Sequence, residues 1–88
     1  MSLPSPRDVA AGIAADLQSA GHIAFFAGGC VRDELLGLEP KDYDVATSAT
    51  PEDVMKVFPR AVPVGISFGV MLVRRDGLTT EVATFRSE

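Results

Sequence analysis

Asp42 and Asp44 have the spacing of a divalent-cation site. The two are separated by one residue, so in a β-strand both side chains project from the same face, within reach of one cation. Tyr43 between them would point the other way, toward a core. Carboxylates this close repel each other, and a hard cation such as Mg2+ relieves the repulsion most readily. The alternative is a solvated strand end that binds nothing.

The third carboxylate is Glu81, which begins an alternating segment of small, apolar and polar residues. In a strand, Glu81 and Ala83 lie on one face while Val82 and Thr84 lie on the other, and the small Ala83 leaves the first face open. If this strand neighbours the Asp42 strand, three carboxylates could hold two metal ions about 4 Å apart, an arrangement that aligns a hydroxyl with a phosphoryl group. The alternative is an exposed acid after a hairpin turn.

Gly28 and Gly29 follow a short apolar run and precede a short charged helix. Glycine has no Cβ and the amino end of a helix is electropositive, so backbone N–H groups at such a turn can approach a phosphate. The turn is not a Walker loop, because no Gly-Lys-Ser/Thr follows, and it lacks the dinucleotide fingerprint Gly-x-Gly-x-x-Gly. The alternative is a tight strand-to-helix turn without a ligand.

Cap and periodicity signals predict the elements that must position these residues. Ser5-Pro6 and Thr50-Pro51, each followed by an acid, are typical helix starts. An Asp76-Gly77 pair between two apolar runs is typical of a hairpin turn. The patterns therefore indicate an α/β fold, with helices over residues 6–20, 31–36 and 51–58 and strands over 23–27, 42–46, 61–64, 69–74 and 78–85.

Composition and charge limit the classes of protein to consider. With 88 residues, the chain supports one modest core and no second domain. Its 47% hydrophobic and 23% charged residues are typical of a folded soluble protein. The net charge of -4 gives no broad positive field, which argues against an isolated nucleic-acid-binding module.

Cysteine content and hydropathy limit the kinds of metal site, disulfide and membrane segment to consider, but less strongly. Cys30 is the only cysteine, so there is no internal disulfide, and without a His/Cys cluster we expect no zinc site. The longest early apolar run, residues 9–15, is far shorter than a membrane span. We expect no targeting or transmembrane segment, no membrane partner and a cytoplasmic protein.

The motifs taken together resemble the head domain of class II tRNA nucleotidyltransferases and bacterial poly(A) polymerases. The resemblance extends over about residues 23–86 and is specific, since several separate motifs occur in the family's order. That family belongs to the DNA polymerase beta superfamily, so the resemblance implies a small mixed sheet flanked by helices. The motifs that support it are residues 28–33 (GGCVRD), 35–37 (LLG), 40–47 (PKDYDVAT), 50–54 (TPEDV) and 81–86 (EVATFR).

The resemblance implies a role for each motif residue. The glycine turn would lie beside a nucleoside triphosphate, and the Asp-x-Asp strand would bind magnesium. The implied set is Gly28, Gly29 and Arg32 for the nucleotide, Asp42 and Asp44 as ligands of Mg2+ in a two-metal site, and Asp42, Asp44 and Glu81 for catalysis.

The implied activity is addition of nucleotides to an RNA 3′ end by nucleotidyl transfer. Residues 64–70 (VGISFGV) are closer to the Gly-x-x-His/Phe-Gly stretch of tRNA nucleotidyltransferases than to the Arg-Arg-Phe stretch of poly(A) polymerases. The favoured function is therefore CCA, CC or A addition to tRNA with CTP and ATP. A bacterial poly(A) polymerase and a non-catalytic nucleotide-binding domain are the alternatives.

The sequence ends at Glu88, before the family's later head motifs and its helical neck, body and tail. Residues 1–88 are accordingly expected to be a single partial head domain. By itself, such a segment is expected to be inactive.

Overall fold

A computed structural model describes residues 5–27, 36–37, 43–65 and 69–85 of the chain. Within these ranges, two helices and five strands follow one another in the order expected from the sequence patterns. Their bounds are α1 Pro6–Ser19, β1 Ala24–Ala27, β2 Asp44–Thr47, α2 Pro51–Val57, β3 Val62–Gly65, β4 Val70–Arg75 and β5 Leu78–Thr84.

Both helices begin at the predicted caps. The Ser5 hydroxyl accepts a hydrogen bond from the Asp8 backbone N–H at 3.1 Å, and the Asp8 carboxylate accepts one from the Ser5 N–H at 3.5 Å, which completes a capping box. At the second helix, the Thr50 hydroxyl accepts from the Asp53 N–H at 3.2 Å. These bonds satisfy amide donors that have no partner within a helix's first turn.

The strands form one mixed sheet in the order β1-β2-β5-β4-β3. The central pair, β2 and β5, is parallel, whereas β1–β2, β5–β4 and β4–β3 are antiparallel. The predicted α/β fold with a small mixed sheet is confirmed. The consequence for function is that β2 and β5, which contain Asp44 and Glu81, lie side by side.

The core lies between the sheet and the two helices. Ile13 and Leu17 of α1 are fully buried, as are Val45 of β2, Val82 of β5 and Val54 of α2. Burying an aliphatic side chain of this size contributes about 1.5–3 kcal/mol relative to leaving it exposed.

The opposite face of the sheet bears Asp44 and Ala46 from β2 and Glu81 and Ala83 from β5, because side chains alternate along a strand. None of these four side chains is fully buried. In the part of the chain that the structure describes, both helices pack on the other side. We call the surface with these four residues the open face.

The carboxyl end of β2 is held by a buried threonine. Thr47 is fully buried; its hydroxyl donates to the Ile23 carbonyl at 2.6 Å and accepts from the Ala49 N–H at 3.1 Å. Thr84 of β5 donates its own hydroxyl to the Ala49 carbonyl at 2.6 Å. These bonds connect β1, β2 and β5 at one end, which fixes the register in which Asp44 meets its neighbours.

Several element bounds differ from the sequence prediction. Ile23, predicted to begin a buried strand, precedes β1 and is 59% exposed. Leu36, assigned to the apolar face of a short helix, is 67% exposed in a turn with Gly37, whose φ of 75° is in the left-handed region. The rest of that predicted helix lies outside the described residues. No helix among the described residues has the length and apolar character needed to cross a bilayer.

Candidate active site

Asp44 and Glu81 are brought together by the parallel pairing of β2 and β5. Their Cα atoms are in register, so both side chains lie on the open face of adjacent strands, whose axes are about 4.8 Å apart. Asp44 is half-buried and Glu81 is exposed. The predicted adjacency of Glu81 and the aspartate strand is confirmed for Asp44.

A cavity of about 330 Å3 opens beside this acid pair. It is lined by Tyr43, Asp44, Leu72, Thr79 and Glu81. Its lining extends from Asp44 on β2 across Glu81 and toward the hairpin end of β5, where Thr79 lies. Carboxylate oxygens along one cavity are ligands of the type that hard cations prefer, and the Thr79 hydroxyl can donate a hydrogen bond.

Tyr43 itself belongs to the core, as its position between the two aspartates predicts. The residue is 9% exposed, and its ring packs against that of Phe26 with centroids 5.4 Å apart. The guanidinium of Arg7 lies 5.6 Å from the centroid of the same Phe26 ring. This packing helps to position the chain at the start of β2, next to Asp44.

Alanines lie beside the acid pair on β1 and at the next open-face position along β2 and β5. Ala27 of β1 is in register with Asp44, and the next in-register pair along β2 and β5 is Ala46 with Ala83. A methyl group projects little from the sheet, so a ligand can approach both carboxylates closely. This agrees with the expectation that Ala83 leaves the face open.

Two features of this face were not identified from the sequence. Phe25, assigned to a buried strand, is 51% exposed, and its ring stacks on that of Phe85 with centroids 5.8 Å apart. Arg74 on β4 lies in register with Thr79, and Thr79 lines the cavity at its hairpin end. Strict alternation along residues 24–27 and 70–75 could have assigned both to the open face, but only the strand order shows what they lie beside.

The other predicted site residues, Gly28, Gly29, Arg32 and Asp42, lie outside the described residues. Among the residues that the structure does describe, no group of three His, Cys, Asp or Glu side chains could hold a metal ion. The roles of Asp44 and Glu81, like those of these four residues, stay predictions.

Comparison with known proteins identifies the family. Residues 24–88 match the sequence family described as the poly A polymerase head domain. The chain belongs to this family. The head-domain fold that the motifs implied is thereby confirmed, together with the family itself.

Relatives of this head domain are named as CCA-adding enzymes. That of Bacillus cytotoxicus is 51% identical over 72 residues, which are 82% of this chain and 18% of the enzyme. That of Geobacillus sp. (strain WCH70) is 44% identical over 86 residues, which are 98% of this chain and 21% of the enzyme. This head-domain chain thus spans about a fifth of the length of these relatives.

Solved structures show the same fold. The crystal structure of the Bacillus stearothermophilus CCA-adding enzyme in complex with CTP superimposes with a TM-score of 0.86 at 46% identity, over 97% of this chain and 21% of that enzyme. A tRNA nucleotidyltransferase complexed with a primer tRNA and an incoming ATP analog gives a TM-score of 0.65 at 29% identity, over 84% of this chain and 23% of that one.

Proposed function

We propose that this chain is part of the catalytic head of an RNA 3′-end nucleotidyltransferase that adds CCA to tRNA from CTP and ATP. The observation that supports it most directly is the in-register pair of Asp44 and Glu81, which borders a cavity on the open face. The names of the relatives, all CCA-adding enzymes at 44–53% identity, favour tRNA over a poly(A) tail as the product.

The donor set fits a divalent cation of the Mg2+ type. Two carboxylates face the same cavity from adjacent strands, and hard cations prefer oxygen ligands of this kind. Asp42, two residues before Asp44 in the sequence, is proposed to complete this set of carboxylates. When bound, the cations supply Lewis-acid activation of the α-phosphoryl group and neutralise charge on the leaving pyrophosphate.

The protein's own residues are proposed to bind and orient the two substrates around this point. Ala27, the last residue of β1, pairs with Asp44 and directly precedes Gly28, so the chain enters the glycine pair from beside the acids. Gly28, Gly29 and Arg32 are proposed to bind the triphosphate. Glu81 is proposed to hold the primer's 3′-hydroxyl in line with the α-phosphorus, a positioning effect worth roughly 7–11 kcal/mol in well-aligned reactions.

A chimeric enzyme tests the proposal. The segment of the Geobacillus CCA-adding enzyme that matches this chain over 86 residues is replaced by this chain. The product is incubated with Mg2+, CTP, ATP and a tRNA lacking its 3′ CCA, and extension is followed on a sequencing gel. We expect stepwise addition, which Asp44→Ala reduces to background without lowering the melting temperature.

Asp16→Ala is the matched control. Asp16 lies on α1, on the helix side of the sheet, where its only ion pair among the described residues is with Arg75 at 2.9 Å. The same loss of charge at this position should leave nucleotide addition intact.

Two results would contradict the proposal. A folded chimera without activity would favour a non-catalytic nucleotide-binding domain. In the complete enzyme that contains this chain, a homopolymeric tail made from ATP alone would instead identify a poly(A) polymerase.

A further inference from the structure

Arg74 is an exposed residue near the hairpin end of β4, in register with Thr79 of β5. On β4, Met71 and Val73 are 1% and 2% exposed and face the core, so the alternation places Leu72 and Arg74 on the opposite side. Leu72 is in register with Glu81, which makes Arg74 the next residue along the same face.

Arg75, the next residue along β4, lies on the other side of the sheet. The Arg75 guanidinium lies on the helix side, 2.9 Å from the Asp16 carboxylate and against Gly12 of α1. Arg74 is exposed and forms no ion pair with any residue that the structure describes. Its guanidinium is therefore available to a ligand.

Thr79 is the cross-strand partner of Arg74 on β5. It is exposed, pairs in register with Arg74 and lines the cavity together with Glu81. Arg74 and Glu81 are diagonal neighbours across β4 and β5, about 7–8 Å apart, a separation that long side chains span. A guanidinium with an adjacent hydroxyl is suited to a phosphate group, since both donate to its oxygens.

Strand order assigns this phosphate to one of the two substrates. In the order β1-β2-β5-β4, the acid pair on β2 and β5 lies between β1 and β4. The glycine pair follows β1, so the incoming triphosphate is proposed on that side. Nucleotidyl transfer requires the attacking hydroxyl on the opposite side of the α-phosphorus from the leaving group, which places the primer toward β4.

We propose that Arg74, assisted by the Thr79 hydroxyl, binds a backbone phosphate near the 3′ end of the RNA primer. This assignment rests on the proposed function. Arg74 is a positioning residue here: it holds the primer strand so that its terminal hydroxyl lies at Glu81, and it takes no part in bond making.

Arg60 provides a control for nonspecific attraction of phosphate by positive charge. It lies between α2 and β3, is exposed, and with Arg74 and Arg75 borders a second cavity of about 340 Å3 on the helix side of the sheet end. A phosphate bound in that second cavity would depend on Arg60 as well as on Arg74. A phosphate on the open face would depend, of these two arginines, on Arg74 only.

The 88-residue chain is small enough for NMR titration. The 15N-labelled chain is titrated in Mg2+ with a short single-stranded RNA that has a free 3′-hydroxyl and, separately, with CTP. The Nε–Hε signals of Arg60 and Arg74 report which guanidinium meets a phosphate. We expect RNA to shift the Arg74 signal and the amides of Leu72 and Thr79, leaving Arg60 unchanged.

Substitutions measure how much each arginine contributes to RNA binding. Arg74→Ala should weaken RNA binding several-fold and reduce the slope of log K against log salt by about 0.7, the single-strand value for one phosphate contact. Arg60→Ala should change neither quantity, and Arg74→Lys should retain the salt slope. CTP affinity should be the same in all three variants.

Equal losses of RNA affinity in Arg60→Ala and Arg74→Ala would overturn the proposal, because RNA would then be attracted by positive charge in general. If Arg74→Ala lowered only the affinity for CTP, Arg74 would be assigned to the triphosphate, and the proposal would again be overturned. Unchanged RNA binding in Arg74→Ala would remove the assignment without affecting the proposed function, because the chimera and its Asp44→Ala variant test that separately.

Discussion

Replacing Glu81 by glutamine is expected to stabilise the metal-free chain and to abolish its response to divalent cations. Glu81 and Asp44 are in register on strands whose axes lie about 4.8 Å apart. At about 5 Å, two unit charges repel by about 0.8 kcal/mol in water and about 3 kcal/mol at an effective dielectric constant of 20. Because Glu81 is exposed, the value near the water limit applies, about 1 kcal/mol.

The order of stability of the unsubstituted chain and Glu81→Gln should therefore reverse when cations and nucleotide are added. Without cations, about 1 kcal/mol raises the melting temperature of a domain of this size by about 4–8 °C. With Mn2+ and CTP at about ten times their dissociation constant, the unsubstituted chain gains about 1.4 kcal/mol. Glu81→Gln should not be stabilised by Mn2+ and CTP, because it lacks one of the carboxylates proposed to bind the cation.

The assay is thermal unfolding followed by circular dichroism, with and without Mn2+ and CTP, at low and high salt. The stabilisation of metal-free Glu81→Gln should shrink as salt rises, since it comes from relief of repulsion between charges near the surface. Glu52→Gln is the matched control. Glu52 lies in the first turn of α2, where a negative charge is favourable, so its loss should slightly destabilise the chain and leave the cation response intact.

A Glu81→Gln chain that still responds to Mn2+ and CTP would refute the reasoning, because the third carboxylate would then be elsewhere. A fall of several degrees in the metal-free melting temperature would refute it differently, by giving Glu81 a structural role.

Two further predictions follow from the buried threonine and from the extent of the chain. Thr47→Val should lower the free energy of unfolding by about 1–3 kcal/mol, since it leaves the buried Ala49 N–H without its acceptor. Ser48→Ala removes an exposed hydroxyl that accepts from the Ile23 N–H at 2.9 Å, so it should lower the free energy of unfolding by clearly less. Urea unfolding measures both changes. The 88-residue chain by itself should bind Mg2+ and nucleotide but extend no tRNA on a sequencing gel, because positioning the primer requires more of the enzyme than the fifth of its relatives' length present here. Base-selective extension by the chain alone would contradict this.

Much of the fold and the choice of candidate site residues follow from the sequence by local rules. Ser5 and Thr50 predict the two helix starts because capping depends on residues three apart. Alternation in 81–86 predicts which side chains share a face, since the period of two is a property of the extended backbone. The proposal of a cation site follows from the residue types, because carboxylates at i and i+2 would be neighbours on one face of any extended strand.

What the sequence does not determine is which strands become neighbours. The parallel pairing of β2 with β5 joins residues 37 positions apart, Asp44 and Glu81, and the buried bonds of Thr47 and Thr84 help to fix its register. The exposure of Phe25 and the register of Arg74 with Thr79 likewise depend on strand order. Pairing between distant strands is decided by which faces can be buried together in one core, a property of the whole chain and not of any local segment.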